Sequence, residues 1–339
     1  MRPNEVGAFM RSGLFGPLVV AAFGIVLASG PADARDARPS EPALWEMSTG
    51  KSKVYLFGSI HMLPRDWPWR TKAIDNAIRD SNVFVFETAM TQDERNKMSL
   101  FVQDHGRLPH GRKLSRMLSP KGLKDFEKAL ERTPLDRQSV DAMRPWLALV
   151  ALADYQIQNG PLRGFVEEGV DYTLEQEARE RRKAIRHLES SESQLEMLMQ
   201  ATPDSDIAGF EADLHELPKA DQVYRRLLES WTAGNQAALA NVMASEAAIN
   251  PDEKHILLDR RNRNWLPQIE AMMVQNKTVF VTVGAAHLVG PGSVLDMLCV
   301  RGWKVQRIKT GPSKPPAACS APEQGPTVAL RSSQAAFRR

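Results

Sequence analysis

Residues 278–303 read TVFVTVGAAHLVGPGSVLDMLCVRGW, and this stretch decides the fold class. Its first part, residues 278–283, is rich in β-branched and aromatic residues, which predicts a buried strand. Gly284-Ala-Ala-His287 follows, so a histidine is predicted at the carboxyl end of that strand. Ser293 is a good N-cap for a helix over residues 294–301. The histidine therefore belongs to a strand-to-helix turn, where open α/β sheets usually bind their ligands.

An earlier stretch, Val54-Tyr-Leu-Phe-Gly58-Ser-Ile-His61, has the same layout of apolar strand, glycine, two small or apolar residues and histidine. Helical spacing over residues 71–79 and a second apolar strand over residues 83–86 complete a βαβ unit. Such crossovers make the two strands parallel, so their carboxyl ends share one edge of the sheet. We therefore expect His61 and Glu87, which follows the second strand, to face one crevice.

A second βαβ unit is predicted from strand 278–283, helix 294–301 and a strand at 304–308, and it places His287 on the same edge if its strand joins the same sheet. Two imidazoles and a carboxylate with open positions suit Mn, Fe, Co or Zn. A single histidine after a strand is more often a hydrogen-bonding loop residue. The repeated pattern favours the metal interpretation, as does Glu87, because a carboxylate at a buried strand end needs a partner or a metal.

Between these two units the sequence is mainly helical, from about residue 91 to about residue 275. A short strand is predicted within 183–188, a capping box at Ser191 with Gln194, and a kink or break at Pro267. The predicted fold class is α/β: a mixed or parallel central sheet formed by N- and C-terminal βαβ units, with a large helical insertion.

The composition is that of a globular protein. Of 339 residues, 42% are hydrophobic and 25% are charged, and the formal net charge is +3. Basic and acidic residues are interleaved, so the charge gives no reason to expect nucleic-acid binding. The sequence contains neither a G-x-S-x-G serine-hydrolase motif nor a G-x-x-x-x-G-K phosphate loop.

The N-terminus has the features of a secretory signal peptide over residues 1–34, cleaved after Ala34. An uncleaved membrane anchor is the alternative, but the apolar run is shorter than the roughly 20 residues that a spanning helix needs. We thus expect a periplasmic or secreted protein without stable membrane insertion. A linker is predicted at 35–43, the main domain at 44–310 and a disordered tail at 311–339. Whether Cys299 and Cys319 pair is left open.

Several motifs occur together in a fixed order, and together they closely resemble the TraB/GumN family, which is related to the Tiki metalloproteases. The resemblance covers roughly residues 44–308 and implies an α/β fold with an inserted helical region. The motifs are Gly58-Ser-Ile-His61, Phe86-Glu87, Pro145-Trp146, Gly169-Val-Asp171, Leu188-Glu189 with Gln194, Arg261-Asn262 with Trp265, and Gly284-Ala-Ala-His287-Leu-Val-Gly290.

The family also implies a divalent-metal site. By position, His61 and His287 match the motif histidines, Glu87 the strand-end acid and Arg261 the arginine of the Arg-Asn motif. In the Tiki branch the site implies metal-dependent peptide cleavage with Mn or Co, and some TraB relatives are described as reducing pheromone activity.

The sequence thus predicts a metal-dependent hydrolase acting on a peptide or another small molecule, with Mn, Co or Zn held by His61 and His287. Glu87 is expected to be either a ligand or the general base. Arg261 is expected to stabilise an oxyanion or bind a substrate carboxylate, unless it is a surface arginine. The alternative function is a non-catalytic peptide- or pheromone-binding or envelope-associated protein that uses the same crevice.

Overall fold

The computed structural model describes residues 40–89, 91–247 and 251–311. The predicted signal peptide at 1–34, its cleavage site after Ala34 and residues 312–339 of the predicted tail lie outside the described residues. In the described part of the chain, no helix is long and apolar enough to cross a membrane. Cys299 is disulfide-bonded, and the other cysteine of the sequence, Cys319, is also outside the described residues.

The described residues form a six-stranded mixed sheet with the strand order β4-β3-β5-β2-β1-β6. Strand β5 lies between β3 and β2 and is parallel to both, and β4 is parallel to β3. Strand β1 is antiparallel to β2, and β6 is antiparallel to β1. The strands are β1 Leu44–Thr49, β2 Ser52–Ser59, β3 Val83–Phe86, β4 Ala184–His187, β5 Thr278–Gly284 and β6 Gln306–Ile308.

The predicted fold class is confirmed, and the sheet adds two details. Strand β5, from the later part of the chain, lies between β2 and β3 from its earlier part, at the centre of the sheet. Strand β6 runs parallel to β5 but lies at the far edge, where its ladder partner is the antiparallel strand β1.

Most of the chain between β3 and β5 is helical. Two further helices, one between β2 and β3 and one between β5 and β6, belong to the βαβ units. The α-helices are α1 Lys72–Asp80, α2 Gln92–His105, α3 Pro120–Glu131, α4 Arg137–Asp141, α5 Pro145–Asn159, α6 Val170–Glu180, α7 Ser191–Ala201, α8 Ile207–Glu216, α9 Ala220–Thr232, α10 Gln236–Ala247, α11 Pro251–Lys254, α12 Arg260–Met272 and α13 Val294–Val300. Ser293 caps α13 by accepting from the Asp296 amide, as the sequence predicts.

Two predicted helix features differ in the structure. The N-cap of α7 is Ser190 instead of Ser191, and the side chain of Gln194 donates to Glu87, 3.0 Å away, instead of closing a capping box. Helix α12 continues through Pro267. Pro267 has no N–H to donate to the Arg263 carbonyl, but both residues are exposed, so this lost hydrogen bond lies on the solvent side of the helix and the helix need not break.

Both faces of the sheet are buried, because alternate side chains of each strand enter two different hydrophobic cores. Phe57, Phe84 and Phe280 pack with the inserted helices, and Leu56, Val85 and Val281 pack with α12 and α13. The parallel strands β2, β3 and β5 are therefore covered on both faces, and their carboxyl ends lie at the same edge of the sheet. The final residues of the predicted linker, 41–43, are buried, and the Glu41 amide donates to the Thr232 carbonyl at 2.8 Å.

Candidate functional site

The three residues predicted to converge follow the carboxyl ends of three neighbouring strands, and the structure brings them together. His61, Glu87 and His287 have 8%, 3% and 0% of their surface exposed. Gly284 at the end of β5 is the point where they meet. A Cβ added there would be 3.1 Å from His61 Nε2, 3.2 Å from Glu87 Oε1 and 3.6 Å from His287 Cδ2. Glycine is needed because any side chain would enter the space between the three groups.

His61 is anchored on one side only. Its Nδ1 lies 2.6 Å from Asp171 Oδ2, and Ser59 Oγ donates to Asp171 Oδ1 at 2.8 Å. Its Nε2 is buried and has no hydrogen-bond partner among the described residues. Asp171 is in the first turn of α6, which stays close to the strand end through the Val170 amide and the Ile60 carbonyl, 3.0 Å apart.

His287 is anchored on both sides. Its Nδ1 lies 2.6 Å from Asn262 Oδ1, and its Nε2 lies 3.0 Å from Arg261 Nη1. The Trp265 ring packs against the imidazole with 4.4 Å between centroids. Three residues of α12 therefore fix the position of His287.

Both carboxylate oxygens of Glu87 accept hydrogen bonds. Oε1 accepts from the Gly284 amide at 2.6 Å and lies 3.8 Å from His287 Nε2. Oε2 accepts from Gln194 Nε2 at 3.0 Å and from Arg261 Nη2. Glu87 therefore connects β5, α7 and α12 at the centre of the site.

Arg261 is a buried member of the site, with 5% of its surface exposed. Besides Glu87 and His287, it donates to Glu189 Oε1 through Nε at 3.0 Å and Nη2 at 2.6 Å. Its Nη1 also donates to the Leu257 carbonyl at 3.1 Å, in the π-helical turn His255–Asp259 that precedes α12. One arginine thus faces two carboxylates, Glu87 and Glu189.

The electrostatics distinguish the two histidines. Burial lowers the pKa of His287 to about 3, with the Arg261 charge acting in the same direction. Burial also opposes a charge on His61, but Asp171 outweighs it and raises the pKa of His61 above its ordinary value. Burial would raise the pKa of Glu87, yet Arg261, with help from the histidines and the Gly284 amide, lowers it to about 2. Glu87 is therefore a carboxylate at neutral pH.

The donor atoms suit a divalent transition metal: two imidazole Nε2 atoms and a carboxylate, with each Nδ1 held by an oxygen, as metal-binding histidines usually are. Among the described residues, however, no group of three or more His, Cys, Asp or Glu side chains is arranged as a metal site. The Arg261 guanidinium lies against Glu87 and His287, where it supplies a positive charge.

The sequence predicts one site for His61, Glu87, His287 and Arg261 but indicates no role for their partners. Asp171, Glu189, Gln194 and Asn262 all lie in motifs that carry the family resemblance, so a signal was present. Their roles were not readable because Asp171 and His61 are 110 positions apart. Gly284 begins the predicted strand-to-helix turn, and in the structure its missing side chain also makes room for the site.

The chain is similar to known proteins over most of its length. The chain is 23% identical over 257 residues to the uncharacterized protein YbaP of Escherichia coli (strain K12), covering 76% of this chain and 92% of that protein. The YbaP protein of Shigella flexneri matches to the same extent, with 23% identity over 257 residues. No solved structure matches the chain. The model of the TraB/PrgY/gumN family matches residues 43–307, most of the sequence, and the chain belongs to that family.

Proposed function

We propose that this protein is an exported, metal-dependent hydrolase that acts on peptides. His61 Nε2, His287 Nε2 and the Glu87 carboxylate would hold a divalent ion such as Mn, Co or Zn. The lowered pKa of Glu87 supports a ligand role, because a general base works best with a pKa near the operating pH. Arg261 Nη1, now 3.0 Å from His287 Nε2, would leave that nitrogen when the ion binds and would then bind the substrate carboxylate or the developing negative charge.

The buried Nε2 of His61 is the observation that carries the proposal. An imidazole nitrogen that is buried without a hydrogen-bond partner costs free energy, unless it serves a ligand. Its other nitrogen faces a carboxylate at 2.6 Å, which is the usual support of a metal-binding histidine. A bound divalent ion would supply a water molecule activated near neutral pH.

Metal analysis of the purified mature chain tests the proposal directly. We expect about one divalent ion per chain, and loss of both metal and peptidase activity in His61→Ala and His287→Ala. His215→Ala is the matched control, because that histidine is exposed and pairs with Asp125 in the helical insertion. Full metal content and activity in both site variants would overturn the proposal.

The ion pairs of Arg261 favour a second candidate, a site that binds a peptide without a metal. The guanidinium already neutralises charge at Glu87 and Glu189, so the site has its own cation. This candidate predicts that an unmodified peptide binds equally well with and without a chelator. Cleavage that stops on chelation and returns with added metal would exclude it.

Export is a separate part of the proposal and rests on residues 1–34. We expect the chain expressed with its natural N-terminus to be recovered from the periplasm or medium, beginning at residue 35. N-terminal sequencing of the recovered protein checks this, with a chain lacking residues 1–34 as the control. Recovery of the unprocessed chain in the cytoplasm would contradict export.

A further inference from the structure

We infer that Asp171 and Asn262 are positioning residues that hold His61 and His287 in the same tautomer, with the proton on Nδ1 and the lone pair on Nε2. The inference deepens the proposed function. It rests on that proposal only in assuming that the two Nε2 lone pairs hold a metal ion. The tautomers themselves follow from the hydrogen bonds alone. Nothing in the family match assigns a role to either residue.

The Asp171 side fixes His61. Both oxygens of the buried Asp171 carboxylate are used, since Oδ1 accepts from Ser59 Oγ at 2.8 Å and Oδ2 lies 2.6 Å from His61 Nδ1. A carboxylate only accepts hydrogen bonds, so the short contact requires a proton on Nδ1. In a neutral imidazole the other nitrogen then carries the lone pair, and this nitrogen is the unpartnered Nε2 beside Gly284.

The Asn262 side fixes His287 from two directions. The Asn262 amide nitrogen donates to the Gly292 carbonyl at 2.9 Å, which turns Oδ1 toward His287 Nδ1 at 2.6 Å. At the other nitrogen, Arg261 Nη1 lies 3.0 Å from Nε2, and a guanidinium can only donate. Both contacts are satisfied only when Nδ1 carries the proton and Nε2 accepts.

Two different residue types thus give the same result at the two histidines beside Gly284. Free neutral histidine prefers the proton on Nε2, so each partner holds its imidazole in the less common form. Partners of this kind also keep the ring from rotating, and their removal typically costs about 10- to 100-fold in metal affinity. We expect this loss for Asp171→Ala and for Asn262→Ala.

The tautomers can be measured without metal. Long-range ¹H–¹⁵N spectra of the metal-free full chain, recorded at increasing pH until each ring gives the signals of a neutral imidazole, distinguish the two nitrogens of each histidine. Signals are assigned by their loss in His61→Gln and His287→Gln. We expect the Nδ1–H form for both residues in the wild type, and the Nε2–H form in either would overturn the inference.

The variants then test each partner separately. Asp171→Ala should change the tautomer of His61 alone, and Asn262→Ala that of His287 alone. Asp171→Asn retains an acceptor oxygen and should restore the wild-type tautomer of His61. The matched control is Asp125→Ala, which removes a carboxylate 3.0 Å from exposed His215 and should leave both site histidines unchanged. Unchanged tautomers in both alanine variants would overturn the inference.

Metal titration of the same proteins separates this inference from the proposed function. A wild type with the expected tautomers but no metal affinity would reject the metal-dependent hydrolase and leave the positioning role intact. A wild type that binds metal, with alanine variants of equal affinity, would reject the positioning role and leave the hydrolase intact. Affinity that falls about 10- to 100-fold in the alanine variants and recovers in Asp171→Asn supports both.

Discussion

At the scale of single residues, the absence of a side chain at Gly284 is as important as the side chains around it. The position lies 3.1 Å from His61 Nε2 and 3.2 Å from Glu87 Oε1, measured from the Cβ it lacks. Distances this short leave no room for a methyl group unless the histidine and the glutamate move apart. The spacing of the donor atoms therefore depends on this glycine.

We predict that Gly284→Ala disrupts the site more than the fold. Overpacking should lower the free energy of unfolding by about 1–3 kcal/mol, and metal affinity should fall because His61 and Glu87 separate. Gly58→Ala is the matched control, since its Cβ would contact the Ala285 backbone at 3.0 Å instead of the donor atoms. Calorimetry and metal titration of both variants check this, and equal metal affinity in both would contradict it.

His287 should make stability depend on pH. Burial lowers its pKa to about 3 in the folded protein, below the ordinary value of 6.5. As pH falls below 6.5, the unfolded chain therefore takes up a proton here that the folded protein does not, and the free energy of unfolding decreases. His61 contributes in the opposite direction, because its pKa is raised in the folded protein. Its contribution to the free energy of unfolding is present at low pH and is lost as the pH rises through its folded pKa.

We predict that His287→Gln reduces the fall in stability between pH 7 and pH 5 by about 2 kcal/mol. Urea unfolding at both pH values, with a chelator present, measures the difference. The change in stability with pH is the quantity to compare, because the substitution also alters stability at pH 7. His215→Gln, at an exposed position, serves as control, and equal pH dependence in wild type and His287→Gln would contradict the assignment.

The convergence of His61, Glu87 and His287 can be predicted from the sequence because all three residues follow strands. Strand ends can be read from local patterns, and parallel strands bring their carboxyl ends to one edge. The partners could not be read, because Asp171 and Asn262 reach the histidines from helices whose packing depends on the whole insertion. Arg261 required the family resemblance, since a run of arginines on a helix gives no sign of which one is buried.

At the scale of elements, helix α9 supports the turn that carries His61. Trp231 Nε1 donates to the Gly58 carbonyl at 2.8 Å, and the Tyr224 hydroxyl donates to the Met62 carbonyl at 2.9 Å. These two side chains satisfy carbonyls that lie on either side of His61. The helical insertion therefore holds one of the site turns in addition to packing on the sheet.

We predict that Tyr224→Phe lowers the free energy of unfolding by about 1–3 kcal/mol, because it leaves the buried Met62 carbonyl without its donor. Tyr155→Phe on α5 is the matched control, because Tyr155 is only half-buried and lies on another helix. Chemical denaturation of both variants provides the comparison. A loss no larger than that of Tyr155→Phe would show that the hydrogen bond adds nothing.

The sequence located elements better than it located their irregularities. Strands and most helices follow from hydrophobic periodicity, and the sequence predicts a kink or break at Pro267, through which the helix continues. The irregularity is instead the π-helical turn His255–Asp259, just before Arg261. Its residues are ordinary helix formers, so no local pattern marks it. The turn presents the Leu257 carbonyl to the Arg261 guanidinium, and that contact is made only in the folded protein.

At the scale of the whole molecule, the sheet and the insertion share one core. Phe57, Phe84 and Phe280 from the strands pack with Trp146 and Tyr224 from the helices. Such a continuous apolar contact makes independent unfolding of either part unfavourable, because it would expose the buried face of the other.

We predict that the sheet and the insertion unfold in one transition. Urea unfolding curves followed by far-ultraviolet circular dichroism, which reports mainly on the helices, and by hydrogen exchange at β5 should coincide. A chelator in all samples removes any contribution of metal. Loss of the helical signal at a urea concentration where β5 amides stay protected would contradict a shared core.

The central position of β5 also determines at which stage of synthesis the sheet can form. Strand β5 is the inner neighbour of both β2 and β3, yet it is encoded after the entire helical insertion. A nascent chain that ends before residue 278 carries three of the four central site residues but has a gap in the middle of its sheet. The ribosome must therefore synthesise the chain as far as residue 284 before the strands can close. Premature assembly of the site during synthesis is thereby prevented.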